Sequence, residues 1–217
     1  EGPFSHKFCD LYKESWEPHA NLIRKLNRYD LCGYPEDDVF DKYIYWNGEI
    51  IAGLINETLV FKGTDSLADV EKDLTPTSGY FKGGMVYSGI LDIYKTLKPE
   101  LDTIYSKTVT GWSLGAVLAV MHSFNHSENV DEVIVFGQPP LFDKKFVDEY
   151  DSILGDRTRS YLHRFDLIAQ PFSLFNGFLE SDEFDMYRAG KATYINSGDL
   201  FNVFRYGIGY YHMSYLE

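Results

Sequence analysis

"TVTGWSLGAVLAV", residues 108–120, decides the fold. Its opening is a β-branched run of strand type. Its close, from Leu114 onward, is apolar almost all round, as a buried helix is. Between them Gly111-Trp112-Ser113-Leu114-Gly115 sets a hydroxyl between two glycines where the period changes. Two readings compete for Ser113. A serine at a helix start is an ordinary N-cap. A serine in G-x-S-x-G between strand and helix is a nucleophile raised on a strained turn, with glycines where side chains would strike the neighbouring strand and helix. The strand–turn–helix context favours the nucleophile. Gly115, Ala116 and Ala119 then let the helix lie close on the sheet.

Outward from this segment, strands and helices alternate. The pattern predicts helices near 66–74 and 86–98, a strand near 106–110 and a helix near 113–125. A strand follows at 132–136, a helix around 143–150 and a strand at 158–165. Strands separated by helices imply crossovers and a mostly parallel sheet. Upstream, "YIYWNGEIIAGLINETLVF" (43–61) is a strand meander with Asn47-Gly48 as a tight hairpin turn, making one edge antiparallel. "CGYPEDD" (32–38) is a turn cluster, and the first thirty or so residues read as helical with an interruption at Pro18. The fold class is therefore α/β, a mostly parallel central sheet with an antiparallel edge and helices on both faces.

A chain of 217 residues, 44% hydrophobic, without repeat or Gly/Ser linker, reads as a single domain over residues 1–217. Aromatic content of 17% predicts aromatic-rich pockets. A net charge of −13 argues against a nucleic-acid partner, which needs a basic footprint. No stretch approaches the roughly 18 apolar residues of a membrane span, so a soluble body is expected. Neither an initiator Met nor a basic-then-apolar leader opens the chain, which reads as processed or trimmed. Cys9 and Cys32 fit no metal motif and either pair or stay free. Asn56-Glu57-Thr58 and Asn125-His126-Ser127 are glycosylation patterns, relevant only in a secretory pathway. The compartment stays open, with secretion favoured.

A serine on this elbow takes its partners in the order Ser, acid, His. His126, His163 and His212 follow Ser113 outside its own helix. His126 sits just past that helix and His163 lies inside the strand-like "RSYLHRF". His212 in "GYYHMSYLE" comes late and off strand pattern, as a base loop requires, and is favoured. The acid belongs two strands after the nucleophile strand, which points to Asp166; the rivals Asp143 and Asp156 fall at a helix start and in a turn. Asp166 would orient the imidazole and stabilise the imidazolium.

These residues resemble the class 3 lipases, the fungal triacylglycerol lipase family of α/β-hydrolases. "VFKGTDS" (60–66) resembles the family's F-R-G-T/S strand end, and "GGMVYSGI" (83–90) its V-H-x-G-F helix start. "VTGWSLGAVLA" (109–119) resembles its V-T-G-H-S-L-G-G elbow, and "VFGQPPLFD" (135–143) its F-G-x-P-R turn. "RFDLIAQPF" (164–172) and "YHMSY" (211–215) resemble the acid and histidine loops. The resemblance implies an α/β-hydrolase fold and a serine ester hydrolase with the triad Ser113, Asp166 and His212. It also implies an oxyanion hole from the backbone N–H groups of Thr64 and Leu114, and neither cofactor nor metal. Implied substrates are acylglycerols or other lipid or short-chain esters, met at a lipid–water interface. Departures are Trp112 for the usual histidine, Lys62 for arginine, Tyr87 for histidine and Pro140 for arginine, in a chain shorter than typical members.

"SLADVEKDL" (66–74), with Ser66 as N-cap and Leu67, Val70 and Leu74 on one face, reads either as a lid or as a core helix. "PFSLFNGFL" (171–179) reads as an acyl-pocket wall or as core. An acyltransferase or thioesterase would use the same triad, and a catalytically idle binding homologue would keep only the fold.

Overall fold

A computed structural model describes residues 18–32, 39–63, 78–163, 166 and 186–195, the side chains of 27–32 excepted. Among these a seven-stranded sheet runs in the order β1-β2-β3-β6-β7-β8-β9. Strands β1 (Lys42–Trp46), β2 (Glu49–Ile55) and β3 (Thr58–Phe61) form the antiparallel edge. Asn47 (φ 50) and Gly48 (φ 85) both take the positive φ that a two-residue hairpin needs, so Asn-Gly is sufficient reason for that turn. From β3 onward pairing is parallel, through β6 (Thr108–Trp112), β7 (Glu132–Phe136), β8 (Thr158–His163) and β9 (Lys191–Ile195).

Alternate strand residues serve opposite faces. Leu59, Phe61, Val133 and Val135 join one apolar cluster, while Val60, Ile134 and Phe136 join the other. The helix α1 (Pro18–Cys32) covers the second face with Ala20, Ile23 and Leu26. Pro18 is its first residue, where a missing N–H costs nothing. On the first face lie α2 (Ser88–Leu101), α3 (Leu114–Asn125) and α4 (Lys144–Leu154). Helix α3 is buried from Leu114 through Phe124, which is why its sequence shows no polar stripe. The mostly parallel sheet with its antiparallel edge, covered by helices on both faces, is thus the expected architecture. No helix among the described residues is long and apolar enough to cross a membrane.

Several elements differ from expectation, the strand predicted near 106–110 running Thr108–Trp112. The helix predicted over 86–98 begins at Ser88, because Gly84–Tyr87 is strand β5, paired with β4 (Ser78–Phe81) in a separate two-stranded ribbon. Its turn is Lys82 (φ 39) and Gly83 (φ 95). Strand β9 was not anticipated; it is short and half exposed, so its pattern is weak. The turn cluster 33–38, the helix 66–74 and the aromatic stretch 171–179 fall outside the described residues, as do both cysteine side chains.

Candidate active site

Ser113 stands where β6 ends and α3 begins, with φ 58 and ψ −125. That region is sparsely populated by side-chain-bearing residues, at a cost of about 1–3 kcal/mol. A capping serine has extended backbone angles and an Oγ that accepts from the first turn. Ser113 has neither, since no side-chain cap bond forms. The ordinary N-cap reading therefore fails. The strained turn is held by the Ser113 N–H donating to the Phe136 carbonyl at 2.9 Å and by the Ala116 N–H donating to the Ser113 carbonyl at 3.0 Å.

Both elbow glycines have a steric reason. A Cβ at Gly111, in β6, would strike the Gly115 carbonyl across the turn. A Cβ at Gly115 would lie 2.6 Å from the Phe61 carbonyl oxygen of β3. Both obstacles are backbone and cannot step aside. Leu114 is the first residue of α3, so its N–H has no partner inside the helix and lies at the positive end of the helix dipole.

Asp166 lies three residues past the end of β8, fully buried, its N–H donating to the His163 carbonyl at 3.1 Å. Because β7 alone separates β6 from β8, Ser113 and Asp166 come to the same C-terminal sheet edge, one strand apart. Ligands of open α/β sheets gather at such an edge. The rival acids do other work. Asp143 caps α4, accepting from the Phe146 N–H at 2.7 Å, and Asp156 sits in the short 3-10 turn Gly155–Arg157. His126 ends α3 and meets Asp102 at 3.1 Å. His163 is buried at the end of β8; burial holds it down at about 4 against the opposing pull of Asp166. Thr64 and His212 lie outside the described residues.

Three features of this edge were not legible beforehand. Trp112, beside Ser113, is buried with Phe136 and Ile134 under α1. Its indole ring would overlap a Cβ at Gly63, so Gly63 is bare because Trp112 is large. The second is Arg188, whose Nε donates to the Gln138 carbonyl at 2.7 Å, reaching from fifty residues away the turn that carries Pro140. The third is the Gln138 side chain, which is fully buried with neither amide atom bonded among the described residues. Only the polar residue itself, between Gly137 and Pro139, signals it in sequence.

The model of the family Lipase (class 3) matches residues 58–175, more than half of the chain. No curated protein sequence matches it. Among solved structures, the triacylglyceride lipase of Rhizomucor miehei is 22% identical with a TM-score of 0.53, over 76% of this chain and 69% of that one. The native propeptide complex of the Rhizomucor miehei lipase is 18% identical with a TM-score of 0.52, over 84% and 70%. A triacylglycerol lipase from Penicillium expansum is 16% identical with a TM-score of 0.55, over 88% and 80%. These likenesses establish the α/β-hydrolase fold. The family match spans β3, the elbow, the 137–143 turn and the Asp166 segment, and on it the chain belongs to the class 3 lipases, a family of lipid-ester hydrolases.

Proposed function

We propose that the chain hydrolyses acylglycerols or similar lipid esters through an acyl-enzyme on Ser113, with His212 as base and Asp166 as its orienting acid. The backbone of Ser113 carries the reading: an off-region turn without a capping bond, kept between two sterically required glycines, has an evident use only if the hydroxyl must be presented. In the first half-reaction His212 takes the Ser113 Oγ proton as the oxygen attacks the ester carbonyl. The oxyanion is held by the N–H groups of Leu114 and Thr64. Losing one such donor would cost roughly 2.7–4 kcal/mol. The C–O bond to the alcohol then breaks and the imidazolium returns its proton to the departing alcohol. Water, activated by the same imidazole, frees the acid and restores Ser113. Asp166, fully buried and past the strand two places along from β6, suits the task of stabilising that imidazolium.

Labelling with a fluorophosphonate tests this. The chain should label at one serine and hydrolyse p-nitrophenyl esters, and Ser113→Ala should abolish both. Asp166→Asn should lose activity by several powers of ten. Full turnover in Ser113→Ala would refute the mechanism. A chain-length series across substrate aggregation would separate a lipase, whose rate jumps on aggregation, from a plain esterase, whose rate saturates smoothly.

A further inference from the structure

Gln138 stands on the C-terminal sheet edge, two residues past β7, between the strand that leads to Ser113 and the strand that leads to Asp166. Gly137 (φ 57) turns the chain there, and its N–H still donates to the Tyr161 carbonyl at 2.9 Å. One residue further on, Gln138 is therefore level with the end of β8, where the His163 carbonyl receives the Asp166 N–H. The turn around it is clamped. The Tyr87 N–H donates to the Leu141 carbonyl at 3.1 Å, Phe142 and Tyr187 exchange backbone bonds at 3.3 and 2.6 Å, and Arg188 holds the Gln138 carbonyl.

A primary amide enclosed there with both ends unbonded among the described residues is a liability that a Leu or Met of similar volume would remove. Catalytic hydrogen bonds are often unmade in the free enzyme and close only around substrate. We propose that Gln138 is a positioning residue: in the substrate-bound enzyme its Nε2–H donates to the Asp166 carboxylate and fixes its aim at the base. This rests on Asp166 being the acid.

Gln138→Met keeps length and volume while removing both polar atoms. It should lower kcat about tenfold or more with KM within twofold, and leave the melting temperature unchanged or raised. Placed on an Asp166→Asn background, it should have no further effect on the residual rate, because its action passes through that carboxylate. Should Gln138→Met not fold, Gln138→Asn, with the amide one methylene short, should show the same fall in kcat. Unchanged kcat overturns the proposal. So does a fall in kcat matched by a fall in melting temperature, which would make the amide a structural group, and so does an equal further loss in the double variant. Full activity in Asp166→Asn would sink the acid assignment and this proposal together. Loss there, with normal kcat in Gln138→Met, sinks this proposal alone.

Discussion

Gly63 and Trp112 exemplify coupling at the scale of single residues. The indole fills the space a methyl group would need, and the glycine precedes Thr64, the residue proposed to supply an oxyanion donor. Gly63→Ala should destabilise by about 1–3 kcal/mol, the usual cost of overpacking a core. It should also reduce kcat, since the strand end is displaced. Trp112→His in the same chain should restore part of both, with a coupling of about 0.5–3 kcal/mol in a urea-denaturation cycle. Additive losses would show that the two residues do not share this space. The glycines of the elbow were readable as sterically required, because G-x-S-x-G states its own geometry. Gly63 was not, because no motif marks it and its obstacle is the side chain of Trp112 on a strand far along the chain.

Whole elements are set by a few local bonds. The Asp143 carboxylate starts α4, so Asp143→Ala should cost about 1 kcal/mol in chemical denaturation while ester turnover per labelled Ser113 stays unchanged. A fall in turnover would mean that Asp143 reaches the site. At the other end of the layer, Lys82 in the ribbon turn donates to the Phe124 carbonyl at 2.8 Å, covering the C-terminal end of α3. The ribbon β4–β5 was missed because Gly83-Gly84 and four-residue strands resemble a loop leading into a helix. What makes them strands is the tertiary setting: β5 is tied to the 141–143 turn, and Gly84 lies too close to the Phe146 backbone for any side chain. Strand β7, by contrast, spans the predicted 132–136, since the apolar run Val133–Phe136 between turns leaves no other choice.

Across the molecule, pH should act through histidines that the fold keeps neutral. His122 is fully buried in α3, its ring tilted against that of His126 with centroids 4.5 Å apart and neither ring nitrogen hydrogen-bonded among the described residues, and burial holds it down at about 3. His163 is held at about 4. In the unfolded chain both imidazoles take protons near the ordinary value of about 6.5. Below that pH the unfolded state binds more protons than the folded one, so stability is fully present above about 6.5 and drains away as pH falls toward 3, by a few kcal/mol. His122→Phe should flatten the slope of unfolding free energy against pH between 6.5 and 4. An unaltered slope would assign the acid loss to carboxylates. The sequence by itself determined the alternation of elements, the antiparallel edge and the glycine-flanked turn at Ser113, because hydrophobic period and glycine placement are local properties that survive without the fold. Tertiary structure alone decided that Asp166 is fully buried, that Arg188 braces the Gln138 turn, and that Trp112 excludes a side chain at Gly63. Those contacts join residues tens of positions apart, and only sheet order and core packing determine which distant groups share one small volume.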